Sequence, residues 1–195
     1  MKGLFYRFAV SLMIIALTLP ISTQAFGGST DAEARTQLEA FLTQKGILLI
    51  KEFYDLGTVP GMYGSEAHFV AVVIYEPGRE NQKVKGLKIE ITSGGRFEKK
   101  ESSFLDQEEL QELSDAIQYM IRLALEWQGN NRNYTEVVYS TKGDFSIGFF
   151  QNGLRQTAFA SSGRISKVVC FFSQVQELKK VKSLVDNAQD LLATK

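Results

Sequence analysis

Apolar residues recur along this chain with two periods, and the changes from one period to the other outline its elements. Ala34, Leu38, Phe41 and Leu42 share one face of a helix expected over residues 31–44, with Gly46 as its stop. Strand patterns follow at 47–54, 69–75 and 84–92, the last two joined by the turn-rich stretch Glu76-Pro77-Gly78-Arg79-Glu80-Asn81. In 69–75 both alternating sets are apolar, which predicts a strand covered on both faces. In 84–92, Leu87, Ile89 and Ile91 alternate with Lys88 and Glu90, which predicts one wet face.

The strongest helical period runs over 106–127, where Leu110, Leu113, Ile117, Met120, Ala124 and Trp127 repeat at threes and fours. Asp106 is the expected N-cap, with Glu109 in the reciprocal position of a capping box. Glu108, Glu109 and Glu112 suit the positive end of that helix, so this acidic cluster reads as helix chemistry rather than as a metal site. Four short strands are expected next, at 134–140, 145–150, 154–160 and 165–172, with Asn152-Gly153 marking a hairpin. Their connections are too short for parallel crossovers, so they form an antiparallel meander. A last amphipathic helix carries Val175, Leu178, Val181, Val185, Ala188 and Leu192 on one face, with Ser173 as its expected cap and Gln176 as the reciprocal partner.

This order predicts an α+β single domain over 26–195: two antiparallel meanders, of three and four strands, with an N-terminal, a central and a C-terminal helix. In element order alone it resembles the small α+β folds of secretion-chaperone-like and TATA-binding-like proteins. The alternative is a seven-stranded barrel capped by the last helix, as in pleckstrin-homology-like domains. No diagnostic family motif accompanies either, and fold does not supply function.

Residues 1–25 have the pattern of a secretory signal: Lys2 and Arg7, an apolar stretch over 8–19, Pro20, and a small-residue exit at Thr23-Gln24-Ala25. Twelve apolar residues rise only about 18 Å as a helix, short of a hydrocarbon core of roughly 30 Å, so cleavage after Ala25 is expected rather than anchoring. The expected location is the periplasm or the medium. The whole chain has 22 basic and 22 acidic residues; loss of Lys2 and Arg7 leaves 20 basic, a net charge of −2. Without a basic excess, a nucleic-acid partner is not expected. Cys170 is the only cysteine and lies in the apolar run Val168-Val169-Cys170-Phe171-Phe172, so it reads as a buried thiol and not as half of an internal disulfide.

His68 is the only histidine, which excludes multi-histidine metal sites within one chain. The chain has no Gly-x-Ser-x-Gly elbow and neither of the glycine-rich phosphate-binding patterns, so no cofactor and no metal are expected. Two histidine-free hydrolase routes remain: a Ser-Lys pair from Ser140 and Lys142 or from Ser162 and Lys167, and a carboxylate pair drawn from Glu90, Glu98, Glu136 or Asp144. Asn133-Tyr134-Thr135 matches a glycan acceptor pattern, which matters only in a eukaryotic host.

The expectation that fits best is a non-catalytic binding or chaperone-like protein whose ligand is a protein segment or an apolar small molecule. Its candidate contacts are Met62 and Tyr63, in the glycine-rich stretch 57–64 expected to loop between the first two strands, and Phe150. Phe150 belongs to a patch with Phe145, Phe149 and Phe159 that forms only if one sheet face is left uncovered. The other alternative is a structural envelope component that meets a membrane peripherally through Lys179, Lys180 and Lys182.

Overall fold

The computed structural model describes residues 35–195; the signal-like segment expected at 1–25 and the start of the helix expected at 31 lie outside them. Helix α1 (Gln37–Thr43) leads into β1 (Ile50–Pro60), β2 (Glu66–Tyr75), β3 (Val84–Thr92) and β4 (Lys100–Asp106). Helix α2 (Leu110–Trp127) follows, then β5 (Arg132–Ser140), β6 (Ser146–Gly153), β7 (Arg155–Ser162), β8 (Val168–Phe172) and helix α3 (Leu178–Ala193). The strands form two four-stranded antiparallel sheets, each in simple sequence order. The α+β class and the two meanders are as expected. The seven-stranded barrel is not: the eight strands belong to two separate sheets.

The first meander has a fourth strand that the sequence pattern did not reveal. In β4 the residues of one face, Lys100, Ser102, Phe104 and Asp106, are mostly polar, and Ser103 is a buried serine on the other. With little apolar alternation, the strand is set by its pairing to β3. Strand β1 also runs further than expected, through Gly57 to Pro60, because the glycine makes a bulge rather than a loop. The register against β2 shifts between Asp55 and Gly57, Gly57 has φ 126°, and its amide donates to Asp55 Oδ1 at 3.0 Å.

In the second meander the β6–β7 turn falls one residue later than Asn152-Gly153 suggests. Asn152 pairs with Arg155, so Gly153 and Leu154 are the central residues, and only Gly153 has positive φ, the type II′ pattern. A one-residue slip here would exchange the two faces of the strand, so the turn decides which phenylalanines point outward. At the last helix, Ser173 does not cap: the chain makes a 3-10 turn, Val175–Glu177, before α3 begins, and Gln174 precedes that turn without a side-chain cap. The capping box at α2 is present as expected. The Asp106 amide donates to Glu109 Oε2 at 3.1 Å.

One core joins both sheets to α2 and α3. Phe69, Leu87, Ile89 and Leu105 come from the first sheet, Ile147, Phe149, Cys170 and Phe172 from the second, and Ile117, Leu178 and Val185 from the helices. Phe145 and Phe149 are therefore core residues. Burying side chains of this size stabilises by about 1.5–3 kcal/mol each. A second, smaller cluster lies on the outer face of the first sheet, where Leu38, Phe41 and Leu42 of α1 pack against Val70, Val72, Ile74, Val84 and Phe104. Helix α1 is fastened there from a distance of about seventy residues. The Asp106 carboxylate accepts from the amides of Gln37 at 2.8 Å and Leu38 at 3.0 Å, two donors that the first turn of a helix leaves free.

Candidate functional site: the uncovered face of the second sheet

The second sheet puts one face into the core and, among the described residues, leaves the other without a covering element. Alternation sets the division. Val137, Ile147, Phe149, Ala158, Ala160, Val168, Cys170 and Phe172 point inward. Tyr134, Glu136, Val138, Ser140, Ser146, Phe150, Phe159, Ser161, Lys167, Val169 and Phe171 line an open hollow of about 500 Å³ on the other side. That volume lies within the range usual for small-molecule sites.

Strand register orders this face into rows. Ser140, Ser146 and Ser161 stand side by side on β5, β6 and β7, next to Val169 on β8. The following row is Val138, Gly148, Phe159 and Phe171, and beyond it come Glu136, Phe150 and Thr157. Gly148 is required where it stands: a Cβ there would lie 2.3 Å from the Val137 carbonyl oxygen and 3.1 Å from the Phe159 ring. The missing side chain lets Phe159 lie down on the sheet, where it stays 9% exposed and meets Phe171 at a ring-centroid distance of 6.4 Å. At the far end Tyr134 stacks on Phe150 at 5.5 Å. Partial desolvation, and then the neighbouring Glu136 carboxylate, push the Tyr134 phenol above its ordinary pKa. Val138, Tyr134 and Phe171 remain 45%, 60% and 38% exposed, a strip of apolar surface with water as its neighbour.

Phe150 thus lies in this hollow, while Met62 and Tyr63 do not line it. Those two occupy a 3-10 turn, Met62–Gly64, at the tip of the β1–β2 hairpin, where Tyr63 takes a left-handed conformation (φ 60°) and is 86% exposed. The turn is pressed against β8. Gly61 leaves no room for a Cβ beside the Cys170 sulfur, and Ser65 Oγ approaches that sulfur at 3.4 Å. Burial raises the pKa of the Cys170 thiol, as befits a residue with no solvent contact.

The hydrolase candidates are dispersed. Ser162 is fully buried on the inner face, whereas Lys167 lines the outer hollow. Ser140 Oγ bonds Ser146 Oγ at 2.9 Å and makes no bond to Lys142 among the described residues. Glu136 is in the hollow, while Asp144 is paired with Arg35 and Arg164 at the β5–β6 turn. Glu90 is on the first sheet, where Lys88 and Lys100 hold it at 2.9 and 3.0 Å; burial alone would raise its pKa, but the two ammonium groups bring it down to about 2. His68 sits beside it, 3.0 Å from Asp55 Oδ1. No group of three or more metal-ligating side chains occurs among the described residues.

Two further hollows are less suited to a ligand. One, of about 400 Å³, is lined by Gln37, Lys85, Asp106 and Glu108, and its buried carboxylate, Asp106, is already spent on the amides of α1. The other, of about 260 Å³, lies between α2 and the β6–β7 turn. Of the basic residues on α3, Lys180 pairs with Glu177 and Lys182 with Asp186, so two of the three lysines are neutralised by acids on or beside their own helix.

Alternation along each strand of the second meander was the signal that could have located the whole hollow. Residue type alone does not mark Val138, Phe171 and Ser161, whose place in the hollow depends on the sheet face they share. Comparison of the chain with family models, with curated proteins and with solved structures gives no match in any of the three.

Proposed function

We propose that the protein is a binding module whose ligand lies along the uncovered face of the second sheet. The observation that carries this reading is an apolar strip of Val138, Phe150, Phe159, Val169 and Phe171 that no element of the described chain covers, at the floor of a hollow of ligand size. A ligand with an extended apolar body gains about 0.8 kcal/mol per methylene removed from water there. Glycine at 148 and the recumbent Phe159 make the floor preformed, so little ordering is needed on binding. The signal-like residues 1–25 support placing this activity outside the cytoplasm, in the periplasm if the host is a bacterium with two membranes.

The test uses N-phenyl-1-naphthylamine, a neutral apolar fluorophore, on the chain beginning at Phe26. The expected result is saturable binding near one equivalent, weakened about tenfold or more in the Val138→Glu/Phe171→Glu double variant, whose thermal unfolding stays close to that of the parent. Absence of saturable binding, or equal binding by the double variant, overturns the reading.

A further inference from the structure

The hollow has a chemical direction. At one end three hydroxyls, Ser140, Ser146 and Ser161, stand in register on adjacent strands. Lys167 lines the hollow just beyond them, preceding β8 by one residue. At the other end is the Glu136 carboxylate, four residues along β5 from Ser140 and so about 13 Å away. Between the ends the floor is apolar.

Two groups at the hydroxyl end are open to a ligand. Ser161 is only 4% exposed, yet its hydroxyl makes no side-chain hydrogen bond among the described residues. The hydroxyl itself keeps contact with the open hollow, where a ligand oxygen can take the place of water as its partner. Lys167 is the only cation lining the hollow and is in no ion pair among the described residues. One ammonium and a row of hydroxyl donors match a single negative charge with two acceptor oxygens.

Resting on the proposed binding function, we infer that the ligand is a single-tailed carboxylate amphiphile of the fatty-acid type. Its carboxylate is held by Ser161, the Ser140–Ser146 pair and Lys167, and its tail lies over Val138, Phe159 and Phe171 toward Phe150. Glu136 repels a carboxylate from the opposite end and so fixes the orientation. The single ammonium favours a carboxylate over a doubly charged phosphate, and a hollow bounded by the width of one sheet favours a free amphiphile over a bilayer.

Displacement of bound N-phenyl-1-naphthylamine by decanoate, decanol, decyl phosphate and decyltrimethylammonium tests the head group at constant tail length. Decanoate is expected to displace the probe at least about tenfold more effectively than decanol, with the cationic amphiphile weakest. In Lys167→Gln the margin of decanoate over decanol should shrink to about twofold, and in Lys167→Glu the cationic amphiphile should overtake decanoate. Lys167 is exposed, so neither change threatens the fold. Equal displacement by decanoate and decanol while the probe still binds overturns this inference and leaves the binding function standing. So do a preference for decyl phosphate and Lys167-dependent sedimentation with phosphatidylglycerol vesicles. Failure of the probe itself to bind overturns both.

Discussion

The two sheets are built alike and finished differently. Each is a four-stranded antiparallel meander followed by a 3-10 turn and a long helix, and each gives one face to the common core. On the first sheet the outer face is closed. Helix α1 covers its apolar end at Val72, Ile74 and Phe104, and the rest is polar, with His68 and Asp55 beside Glu90, Lys88 and Lys100. Among the described residues of that face, Phe53 reaches solvent at the β1 edge. The second sheet has a comparable apolar strip with, among the described residues, no helix over it and no charges paired across it. The helix that precedes β5 is α2, and it turns inward to pack with α3 in the core. Fold stability accounts for the first outer face. It does not account for the second, where exposed Val138 and Phe171 contribute little to the core, and that difference is the reason for assigning the ligand there.

The contrast is broken most severely by removing its cover. Leu38 is fully buried beneath α1, so Leu38→Ala leaves a cavity against Val72 and Ile74 and should cost about 3 kcal/mol in urea unfolding. Amide exchange at residues 37–43 should rise with it, because the helix of seven residues then loses its one fully buried anchor and keeps only the Asp106 contacts, the Glu39–Arg164 pair and the partly buried Phe41 and Leu42. A cost below about 1 kcal/mol would mean that α1 is not fastened to the first sheet, and the two outer faces would then be equivalent.

The polar end of the first sheet gives a smaller effect with a defined pH window. Glu90 titrates at about 2 in the folded chain against 4.5 for the free side chain. Its contribution is therefore complete above pH 4.5 and fades as the pH falls toward 2, because only the unfolded chain takes up the proton in that interval. Glu90→Gln should cost about 1–2 kcal/mol at pH 7 and should flatten the acid limb of the stability profile between pH 4.5 and 2. An unchanged acid limb would remove Glu90 as the group that closes this face.

Much of this arrangement is legible in the sequence, and what is not has identifiable causes. The long amphipathic period over 106–127 and the capping box at Asp106 and Glu109 act locally, and they stand as the pattern predicts. Strand β4 is invisible because its pairing with β3, not its own alternation, makes it a strand. The 57–64 stretch misleads because a glycine that permits a loop equally permits a bulge, and only the register with β2 distinguishes them. For the site, the chain shows that Phe150 and Phe159 have the type of side chain a binding face uses. It does not show that Phe145 and Phe149 point the other way until the turn at Gly153 and Leu154 fixes the register. Whether a face is covered depends on where α1 and α2 go, which is tertiary information.

The smallest stability effect is the most informative about function. Phe171 is as large as any residue in the core but 38% exposed, and its main ring contact, Phe159, rests independently on Gly148. Phe171→Ser should therefore lower unfolding stability by about 1 kcal/mol or less, against about 3 kcal/mol for Leu38→Ala, while weakening binding of the apolar probe about tenfold. If Phe171→Ser instead costs as much as Leu38→Ala, the face is covered in solution. Cover supplied by a second copy would make the midpoint of unfolding depend on protein concentration, because a dimer is stabilised by mass action. A midpoint that does not move with concentration, together with a small cost and lost probe binding, leaves the second sheet as a face kept open for a ligand.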